Sequence, residues 1–448
     1  MAVQCTSGKT EIQPRIAEDL RRLLWGGDVK QDVFKRWTQG FVFSEDEHSA
    51  LIQKEGGPCS VIAPVQAFIL KSLLFSEQPT QEWRTISEEQ ADQVLQQALC
   101  DILQRVSSGP TFTLTLCESG GGCSDHEEAS NSTSDPEHSP KKRKLSYECY
   151  HDNLRCVTCT SRQELSDRLQ QLLPNYKGDY GVLMFLYSVI LSKGLEQIKN
   201  EVEDPGEPLI DGTYGHGSQC LINLLLTGKA ISNVWDNDKE VEGLKLKGIT
   251  EQATVGFLSL LEHLRYCEVG WYLKNPEYPL WLLGSETHLT LLFSKEISLV
   301  TRETPDLIAK RIFARFDPEG NGFIATELLQ DVMCAAQLVC EPEEYVTIMK
   351  KKLDPEQLGI ITQNAFMAEF YPDSQKNENL ETFTLYHYNG LQRSCPEGKV
   401  VYQEATANIT MPSDIQVVED SSTISACLQT KWPTIELHWK SGQAPSMN

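Results

Sequence analysis

The chain has 448 residues, 40% of them hydrophobic, and a formal net charge of −23. This length predicts one large domain or two to three smaller ones, and the acidic balance disfavours nonspecific nucleic-acid binding. No apolar leader and no run of roughly 20 apolar residues is seen, so we expect a protein of the nucleus or cytoplasm that is not secreted. The 14 cysteines are scattered, which predicts reduced thiols.

The first candidate for chemistry is a cysteine that follows a loop of helix-breaking residues. The loop, residues 53–58, contains two glycines and a proline, and the apolar run after it predicts a helix near Cys59. The unpaired N–H groups and positive dipole end of a helix favour the reactive thiolate. Gln53 could donate its amide to an oxyanion if the loop folds back. Alternatively, Cys59 is a small core residue. Pro64 predicts that the helix begins after Cys59 or bends.

The composition changes sharply after a helical and then an extended stretch. Residues 11–27 predict an amphipathic helix, and Ser87 with Gln90 predicts a capping box before another helix. Residues 111–116 alternate as in a strand. Residues 117–147 are rich in Gly, Ser, Asp, Glu and Pro, which predicts a disordered insertion. Its end carries a basic cluster, interpreted as a signal for a nuclear import receptor or as a solvated charge run: Lys141, Lys142, Arg143 and Lys144.

Four potential zinc ligands follow the insertion: Cys149, His151, Cys156 and Cys159. A single Cys-x-x-Cys pair without a second pair at finger spacing is a weak signal. Residues 154–158 also fit a short strand. The strand is therefore the preferred interpretation.

Two histidines compete for the role of catalytic base. His216 lies between two glycines ahead of an apolar helical run, residues 221–226, whereas His288 begins a strand-like run, residues 287–293. A histidine at a strand start can reach a thiol on a helix, as in cysteine proteases generally, but spacing alone leaves both histidines open. The surrounding chain predicts helices at 161–173, 181–193 and 251–266, and strands at 231–235 and 280–283.

Residues 301–374 are predicted to form a separable unit of four helices in two pairs. Its two loops follow the EF-hand scheme, and Ile324 and Ile361 at the eighth positions are expected to pair in a short strand bridge. Leu328 and Ala365 replace the bidentate glutamate of a calcium loop. The unit is interpreted as a degenerate EF-hand pair without metal, because the remaining oxygen ligands of the first loop are too few: Asp317, Glu319 and Asn321.

The last part of the chain is predicted to add antiparallel strands to the larger domain. Residues 383–388, 400–402 and 427–439 have strand-like patterns, and a loose tail follows residue 441. The expected fold class is therefore α+β, with the helical unit inserted into the larger domain.

Three passages together resemble one enzyme family. They are residues 53–60 preceded by the aromatic run 37–43, residues 214–228, and residues 283–290. In this order they are similar to the MINDY cysteine-protease deubiquitinases, and the EF-hand-like insertion is most similar to the third member. The resemblance implies a papain-like but distinct fold. It also implies hydrolysis of isopeptide bonds in polyubiquitin, with preference for lysine-48-linked chains, and no cofactor.

The resemblance also implies roles for individual residues. Cys59 matches the catalytic cysteine, His288 the catalytic histidine and Gln53 the oxyanion-stabilising glutamine. His216 then becomes a structural residue. Thr290 lies on the same face of the predicted strand as His288 and is the candidate third partner.

Further expectations concern ubiquitin and the domain boundaries. Trp235 and Asp236 are candidate ubiquitin-facing residues, although Trp235 fits the core equally well. Residues 1–116 would carry the nucleophile, residues 148–300 the histidine, and residues 375–448 would complete the catalytic domain. Polyubiquitin and ubiquitinated proteins are the expected partners, with no nucleic acid and no membrane. The alternative is a catalytically silent ubiquitin-binding or EF-hand-type interaction protein.

Overall fold

The computed structural model describes residues 9–27, 29–118, 145–241, 243–300, 305–317, 321–339, 341–372, 382–409 and 422–448. The chain divides into two compact units. The larger unit combines residues up to 300 with those from 382 onward, and the smaller unit comprises residues 301–381. Most of the predicted insertion, including the basic cluster at 141–144, lies outside the described residues, and so does Glu319.

The first half of the larger unit is mainly helical and surrounds one long core helix. The helices are α1 Pro14–Trp25, α2 Gln31–Trp37, α3 Cys59–Phe75, α4 Glu88–Val106, α5 Tyr147–Asp152, α6 Arg162–Lys177, α7 Gly181–Lys193, α8 Leu195–Glu201 and α9 Gln219–Thr227. Helix α3 is apolar on nearly every side and buried along most of its length. It packs against α4, α7 and α9. The predicted capping box is confirmed at the start of α4.

Helix α3 begins at the cysteine itself and continues through its proline. Pro58 is the N-cap, Cys59 is the first helical residue, and Pro64 lies inside the helix. The expectation that the helix begins after Cys59 is therefore wrong. Because Pro64 has no N–H, it removes one intrahelical hydrogen bond, and the surrounding apolar contacts hold the helix together.

Strands from distant parts of the chain form two larger sheets. The strands of the first half are β1 Thr10–Glu11, β2 Val42–Phe43, β3 Leu51–Ile52, β4 Phe112–Cys117 and β5 Leu154–Cys159. Strands β1, β5 and β4 make a three-stranded antiparallel sheet, which confirms the strand predicted at 154–158, and β2 pairs with β3.

The second sheet joins the middle of the chain to its last part. In the sequence, the shorter elements around its strands are β6 Lys239–Val241, β7 Leu244–Leu246, α10 Leu260–His263, α11 Trp271–Lys274 and α16 Thr423–Gln429. Its six strands are β8 Gly256–Ser259, β9 Leu280–Gly284, β10 Leu289–Phe293, β13 Thr382–Tyr388, β14 Gln403–Ile409 and β15 Ile435–Trp439. The order is β15-β14-β13-β10-β9-β8, antiparallel except between β8 and β9, and β6 pairs with β7 separately. The prediction that C-terminal strands extend the main sheet is confirmed. Helix α3 packs against β9 and β10, which brings its first turn toward the start of β10.

Several predicted elements differ from the observed ones. Residues 231–235 are irregular instead of a strand. The helix expected at 251–266 is strand β8 followed by the single-turn helix α10. Residues 400–402 precede β14 instead of forming a strand, and Cys427 lies in helix α16. Short apolar runs fit helix and strand equally well, so pairing with β9 decided the structure of β8.

No single helix among the described residues is long and apolar enough to span a membrane. Only α7 and α8 together reach that length and apolarity, and they are bent by 81° to one another.

The smaller unit contains two helix–loop–helix pairs joined by a strand bridge. Its elements are α12 Pro305–Arg315, β11 Phe323–Ala325, α13 Leu329–Ala335, α14 Glu343–Leu353, β12 Ile360–Thr362 and α15 Gln363–Phe370. Strands β11 and β12 are antiparallel, and Ile324 lies directly opposite Ile361, which confirms the predicted pairing. Both isoleucines are buried in the core of this unit.

A buried histidine in the second sheet leads to a prediction about acid stability. His387 is fully buried, and neither ring nitrogen has a hydrogen-bond partner among the described residues. Burial lowers the pKa of His387 from 6.5 to about 3, so the unfolded chain binds this proton first as the pH falls. Stability from this site is therefore complete above pH 6.5 and is lost as the pH falls toward 3. Between pH 7 and pH 5, we expect the free energy of unfolding of His387→Phe to fall by about 2 kcal/mol less than that of wild type.

Urea unfolding at several pH values measures this difference. The matched control is His438→Phe, which replaces an exposed histidine on β15, two strands from β13 in the same sheet, and should follow the wild-type pH dependence. Equal acid sensitivity of His387→Phe and wild type would refute the prediction.

Candidate active site

The loop before α3 is held in place by two glutamines. The backbone N–H of Gln53 donates to the carbonyl of Gly390 at 2.7 Å, and its side-chain amide donates to the carbonyl of Glu55 at 2.8 Å. Gln39 accepts a hydrogen bond from the backbone N–H of Lys54 at 2.9 Å. Gln53 is almost completely buried, so its amide has one position. Because an amide nitrogen carries two hydrogens, one of them remains for a substrate oxygen.

Glycines allow three chain segments to meet beside the cysteine. Gly57 has φ +121°, and an added Cβ would lie 2.9 Å from Trp37 Nε1 and from the Gly215 carbonyl oxygen. Trp37 Nε1 donates to that same carbonyl at 3.0 Å. A Cβ on Gly217 would lie 2.2 Å from Ser60 Oγ. The loop 214–217 therefore rests directly against the first turn of α3.

The thiol of Cys59 is buried and protonated in the resting structure. It donates to the Gly57 carbonyl at 3.6 Å. Burial raises the pKa of Cys59 to about 11, although the backbone N–H groups of Leu289 and Ser60 act in the opposite direction. The expectation that the helix start favours a thiolate is therefore wrong for this state, since loss of hydration outweighs the helix end. Leu289 places the thiol beside the start of β10.

His288 lies immediately before β10 and is held by the turn that precedes it. Its backbone N–H donates to Ser285 Oγ at 3.0 Å, and only 6% of the residue is exposed. Burial lowers the pKa of the ring below 6.5, against the effect of its hydrogen bond to Asn389. The resting site therefore holds a neutral thiol at the start of α3 and a neutral imidazole just before β10.

The third polar partner of His288 is Asn389, not the predicted Thr290. The ring Nε2 and Asn389 Oδ1 are 3.0 Å apart. Thr290 is fully buried, and its hydroxyl has no hydrogen-bond partner within the described part of the chain. The two-residue periodicity of a strand suggested Thr290, but the neighbouring strand β13 delivers Asn389 to the histidine from the other side. In the sequence, Asn389 and Gly390 suggested only a turn.

His216 is close to the same site but has different contacts. Its ring stacks on Tyr214 with 6.5 Å between centroids, and its buried Nδ1 has no hydrogen-bond partner in the part of the chain that the structure describes. Burial lowers its pKa, and its charge acts on His288. The fold thus gathers both candidate histidines near Cys59, and only His288 has a polar side chain that orients its ring.

The two candidate ubiquitin-facing residues have structural contacts of their own. The carboxylate of Asp236 accepts hydrogen bonds from the backbone N–H groups of Trp271 and Tyr272 at 2.8 and 3.0 Å, so it caps the start of α11. Trp235 is half-buried, and Lys239 Nζ lies 4.7 Å from its ring centroid. Their contact with ubiquitin stays a prediction.

The structure does not support zinc at the cysteine-rich stretch. Cys149 is disulfide-bonded, whereas every other cysteine among the described residues is free. The expectation of reduced thiols is therefore wrong at Cys149. Both nitrogens of His151 are engaged, at 2.6 Å, by the Tyr147 carbonyl and the Tyr187 hydroxyl. Among the described residues, no group of three potential ligands is placed to hold a metal.

The first aspartates of the two loops in the smaller unit accept hydrogen bonds from their own loops. Asp317 accepts the backbone N–H groups of Asn321 and Gly322 at 3.0 and 2.7 Å. Asp354 accepts those of Leu358 and Gly359, both at 2.8 Å, and the hydroxyl of Thr326 at 3.1 Å. These hydrogen bonds hold the turn of each loop.

The raised pKa of Cys59 leads to a prediction about its reactivity. Because the thiolate is the nucleophile, alkylation of Cys59 by iodoacetamide should rise about tenfold per pH unit between pH 7 and pH 9. Mass spectrometry of the peptide that contains Cys59 measures this rate separately from the other cysteines. A rate that is already constant below pH 8 would show a resting thiolate–imidazolium pair and contradict the prediction.

Known proteins resemble the chain along nearly its whole length. The family model described as "Deubiquitinating enzyme MINDY-3/4, conserved domain" matches residues 21–308. The Homo sapiens protein named ubiquitin carboxyl-terminal hydrolase MINDY-3 is 50% identical over 445 residues, covering 97% of this chain and 99% of the relative. The Danio rerio protein of the same name is 49% identical over 440 residues, with 95% and 98% covered.

A more distant relative matches a smaller share. The Bos taurus protein named probable ubiquitin carboxyl-terminal hydrolase MINDY-4 is 31% identical over 319 residues, covering 69% of this chain and 39% of the relative. No solved structure matches the chain.

Proposed function

Because this chain belongs to the MINDY-3/4 family of deubiquitinating enzymes and is a ubiquitin hydrolase, we propose that it cleaves isopeptide bonds between ubiquitins, preferentially in lysine-48-linked chains. The observation that carries the mechanism is the buried thiol of Cys59 at the first residue of α3. The backbone N–H of Leu289 is directed at its sulfur, and the adjacent His288 is oriented by Asn389. Its partners are polyubiquitin and ubiquitinated proteins.

The acylation step begins from two neutral groups. His288 takes the proton of Cys59 as the sulfur attacks the carbonyl carbon of ubiquitin's terminal glycine. The oxygen of that carbonyl becomes an oxyanion, which accepts hydrogen bonds from the Gln53 amide and the backbone N–H of Cys59. Because burial raises the pKa of Cys59 to about 11, the thiol needs His288 as a base for this attack.

The second half of the reaction returns the enzyme to its starting state. The C–N bond breaks, and the departing lysine amine takes the proton from the imidazolium of His288. Water then attacks the thioester carbonyl while His288 accepts its proton. The C–S bond breaks, and the departing sulfur of Cys59 takes that proton back from His288. The products are free ubiquitin with a carboxylate end, a shortened chain and the neutral Cys59 thiol.

The alternative is a ubiquitin-binding protein in which the thiol and the imidazole never reach a reactive geometry. The observation that favours it is the hydrogen bond from the thiol to Gly57 instead of to His288. Catalytic hydrogen bonds are often long or misaligned without substrate, so the resting geometry is compatible with both functions.

A ubiquitin with an electrophile at its C-terminus separates the two functions. The enzyme should form a covalent adduct, and peptide mapping should place the modification on Cys59 and on no other cysteine. Ubiquitin without the electrophile is the control and should give no adduct. Retained ubiquitin binding without adduct formation would support the silent binding protein instead.

The linkage preference requires a separate comparison. Di-ubiquitin and longer chains of each lysine linkage, at equal concentration, are expected to show fastest cleavage of the lysine-48 series. Equal rates for lysine-48 and lysine-63 chains would leave the hydrolase assignment intact and remove the linkage preference.

Two further parts of the proposal concern other regions. The smaller unit acts as an EF-hand-like packing or partner module attached to a papain-like but distinct catalytic fold, and the bridge between Ile324 and Ile361 supports this interpretation.

The basic residues 141–144 direct the protein to the nucleus through an import receptor. Replacing all four by alanine should shift a fluorescent fusion from the nucleus to the cytoplasm, and an unchanged distribution would remove this assignment.

A further inference from the structure

We propose that residues 446–448 form a clamp that holds Asn389, and through Asn389 sets the tautomer and orientation of His288. Residues 446–448 are called the clamp. The inference rests on the proposed function, because it treats His288 as the base for Cys59. It adds a positioning residue, Asn389, and a segment far from the nucleophile in sequence to the machinery of the reaction.

The orientation of the Asn389 amide is determined by its two backbone partners. Its Oδ1 accepts the backbone N–H of Leu391 at 2.9 Å, and its Nδ2 donates to the carbonyl of Ser446 at 3.0 Å. A backbone N–H can only donate and a carbonyl can only accept. Rotating the amide by half a turn would therefore place donor against donor and acceptor against acceptor, so only one orientation is stable.

This orientation decides which nitrogen of His288 carries the proton. Asn389 Oδ1 faces the ring Nε2 at 3.0 Å, and an amide oxygen can only accept, so Nε2 must be the protonated nitrogen. In a neutral imidazole the other nitrogen, Nδ1, then has the free lone pair. The ring is therefore prepared to accept the thiol proton of Cys59 through Nδ1.

The clamp also holds the turn that carries the histidine. Ser285 Oγ accepts the backbone N–H of His288 at 3.0 Å and donates to Asn448 Oδ1 at 2.7 Å. Met447, between the two contact residues, is only 4% exposed. The same three residues thus contact both the side chain that orients the ring and the turn that supports its backbone.

Loss of the clamp should misdirect His288 without removing any group that touches substrate. Without the Ser446 carbonyl, the buried Nδ2 of Asn389 has no acceptor, which is costly at a site that is only 6% exposed. A rotated amide would offer Nδ2 to the ring and favour a proton on Nδ1, the nitrogen that must accept one from Cys59. The Leu391 N–H opposes this rotation, so deleting the clamp should cost less than removing Asn389.

The test is steady-state cleavage of a lysine-48-linked chain by the full-length protein across pH. We expect Asn389→Ala to lower kcat between about 10- and 100-fold with KM unchanged, because general acid–base catalysis contributes about 10² to 10⁴ in total. Deleting residues 446–448 should lower kcat by a smaller factor, and by less again in the Asn389→Ala background, where only the contact of Asn448 with Ser285 remains to be lost. Asn408→Ala, on strand β14, is the matched control and should behave as wild type.

A carboxylate at position 389 gives a readout that a merely structural role would not move. In Asn389→Asp the negative charge stabilises the imidazolium of His288, so the acid limb of kcat/KM should move to higher pH by about one unit or more. Selective ¹⁵N-histidine NMR should also show Nε2 protonated in wild type, and a mixture of tautomers after deletion of the clamp. The NMR result does not depend on turnover, so it remains decisive if a variant is destabilised.

Several outcomes would overturn the inference. A deletion variant with raised kcat would show that residues 446–448 obstruct the site instead of supporting it, and an unchanged kcat in Asn389→Ala would exclude a positioning role. An Nδ1-protonated His288 in wild type would contradict the tautomer assignment. Absence of chain cleavage by wild type would instead refute the proposed function, and it would leave the tautomer measurement to judge the clamp.

Discussion

Replacing Cys59 by alanine is expected to abolish cleavage of lysine-48-linked chains, with a loss in kcat of at least about 10⁵-fold. The thiol forms the covalent intermediate, so its loss removes the nucleophile of the acylation step. The expected effect on stability is modest, since Cys59 loses only its sulfur within a well-packed helix start. Cleavage should be followed by gel over hours, so that a very slow residual rate is detected.

A second cysteine provides the control for this substitution. Cys267 is half-buried and free, and burial also raises its pKa, but it has no contact with the site. Cys267→Ala should cleave chains at the wild-type rate. Cleavage by Cys59→Ala at more than a trace would show that another group performs the chemistry.

Replacing His288 by alanine is expected to lower kcat by about 10³-fold, within the range for loss of a general acid–base group. Without the ring, attack must wait for the small thiolate fraction that a pKa of about 11 allows at neutral pH. The residual rate should therefore rise about tenfold per pH unit on the alkaline side. Wild type should keep its activity below pH 6.5, because burial lowers the pKa of His288 and the base stays neutral there.

His216→Ala is the companion variant, because both histidines lie near the thiol. It should retain most of the wild-type kcat. The charge of His216 lowers the pKa of His288. Removing it should therefore move the acid limb of the kcat/KM profile slightly to higher pH. If His216→Ala lost as much activity as His288→Ala, the assignment of a single base would be wrong.

The burial of Cys59 and His288 has one consequence for how the enzyme is controlled. Both groups are neutral at rest, since burial raises the pKa of Cys59 to about 11 and lowers that of His288. A neutral thiol reacts slowly with small electrophiles. The resting site is therefore expected to react slowly with small electrophiles.

Local patterns in the sequence were sufficient for features that depend on neighbouring residues. Two glycines and a proline end regular structure just before the apolar run of α3, so a helix start near Cys59 is determined locally, whereas Pro64 misplaced its first residue. Ser87 and Gln90 cap α4 by side chains three residues apart, which is also local chemistry. Ile324 and Ile361 could be paired because each occupies the same position in a repeated loop.

Only the tertiary structure decided the partners of the thiol and of the histidine. Asn389 reaches His288 because β13 pairs with β10 across the inserted unit, and no local pattern gives the partner or register of that pairing. The pKa of Cys59 is likewise a property of the assembled core, because the helix end acts locally while loss of hydration depends on every element packed around α3. Sequence patterns report local backbone preferences and hydrophobic periodicity, whereas ring orientation, tautomer and desolvation arise when distant segments meet.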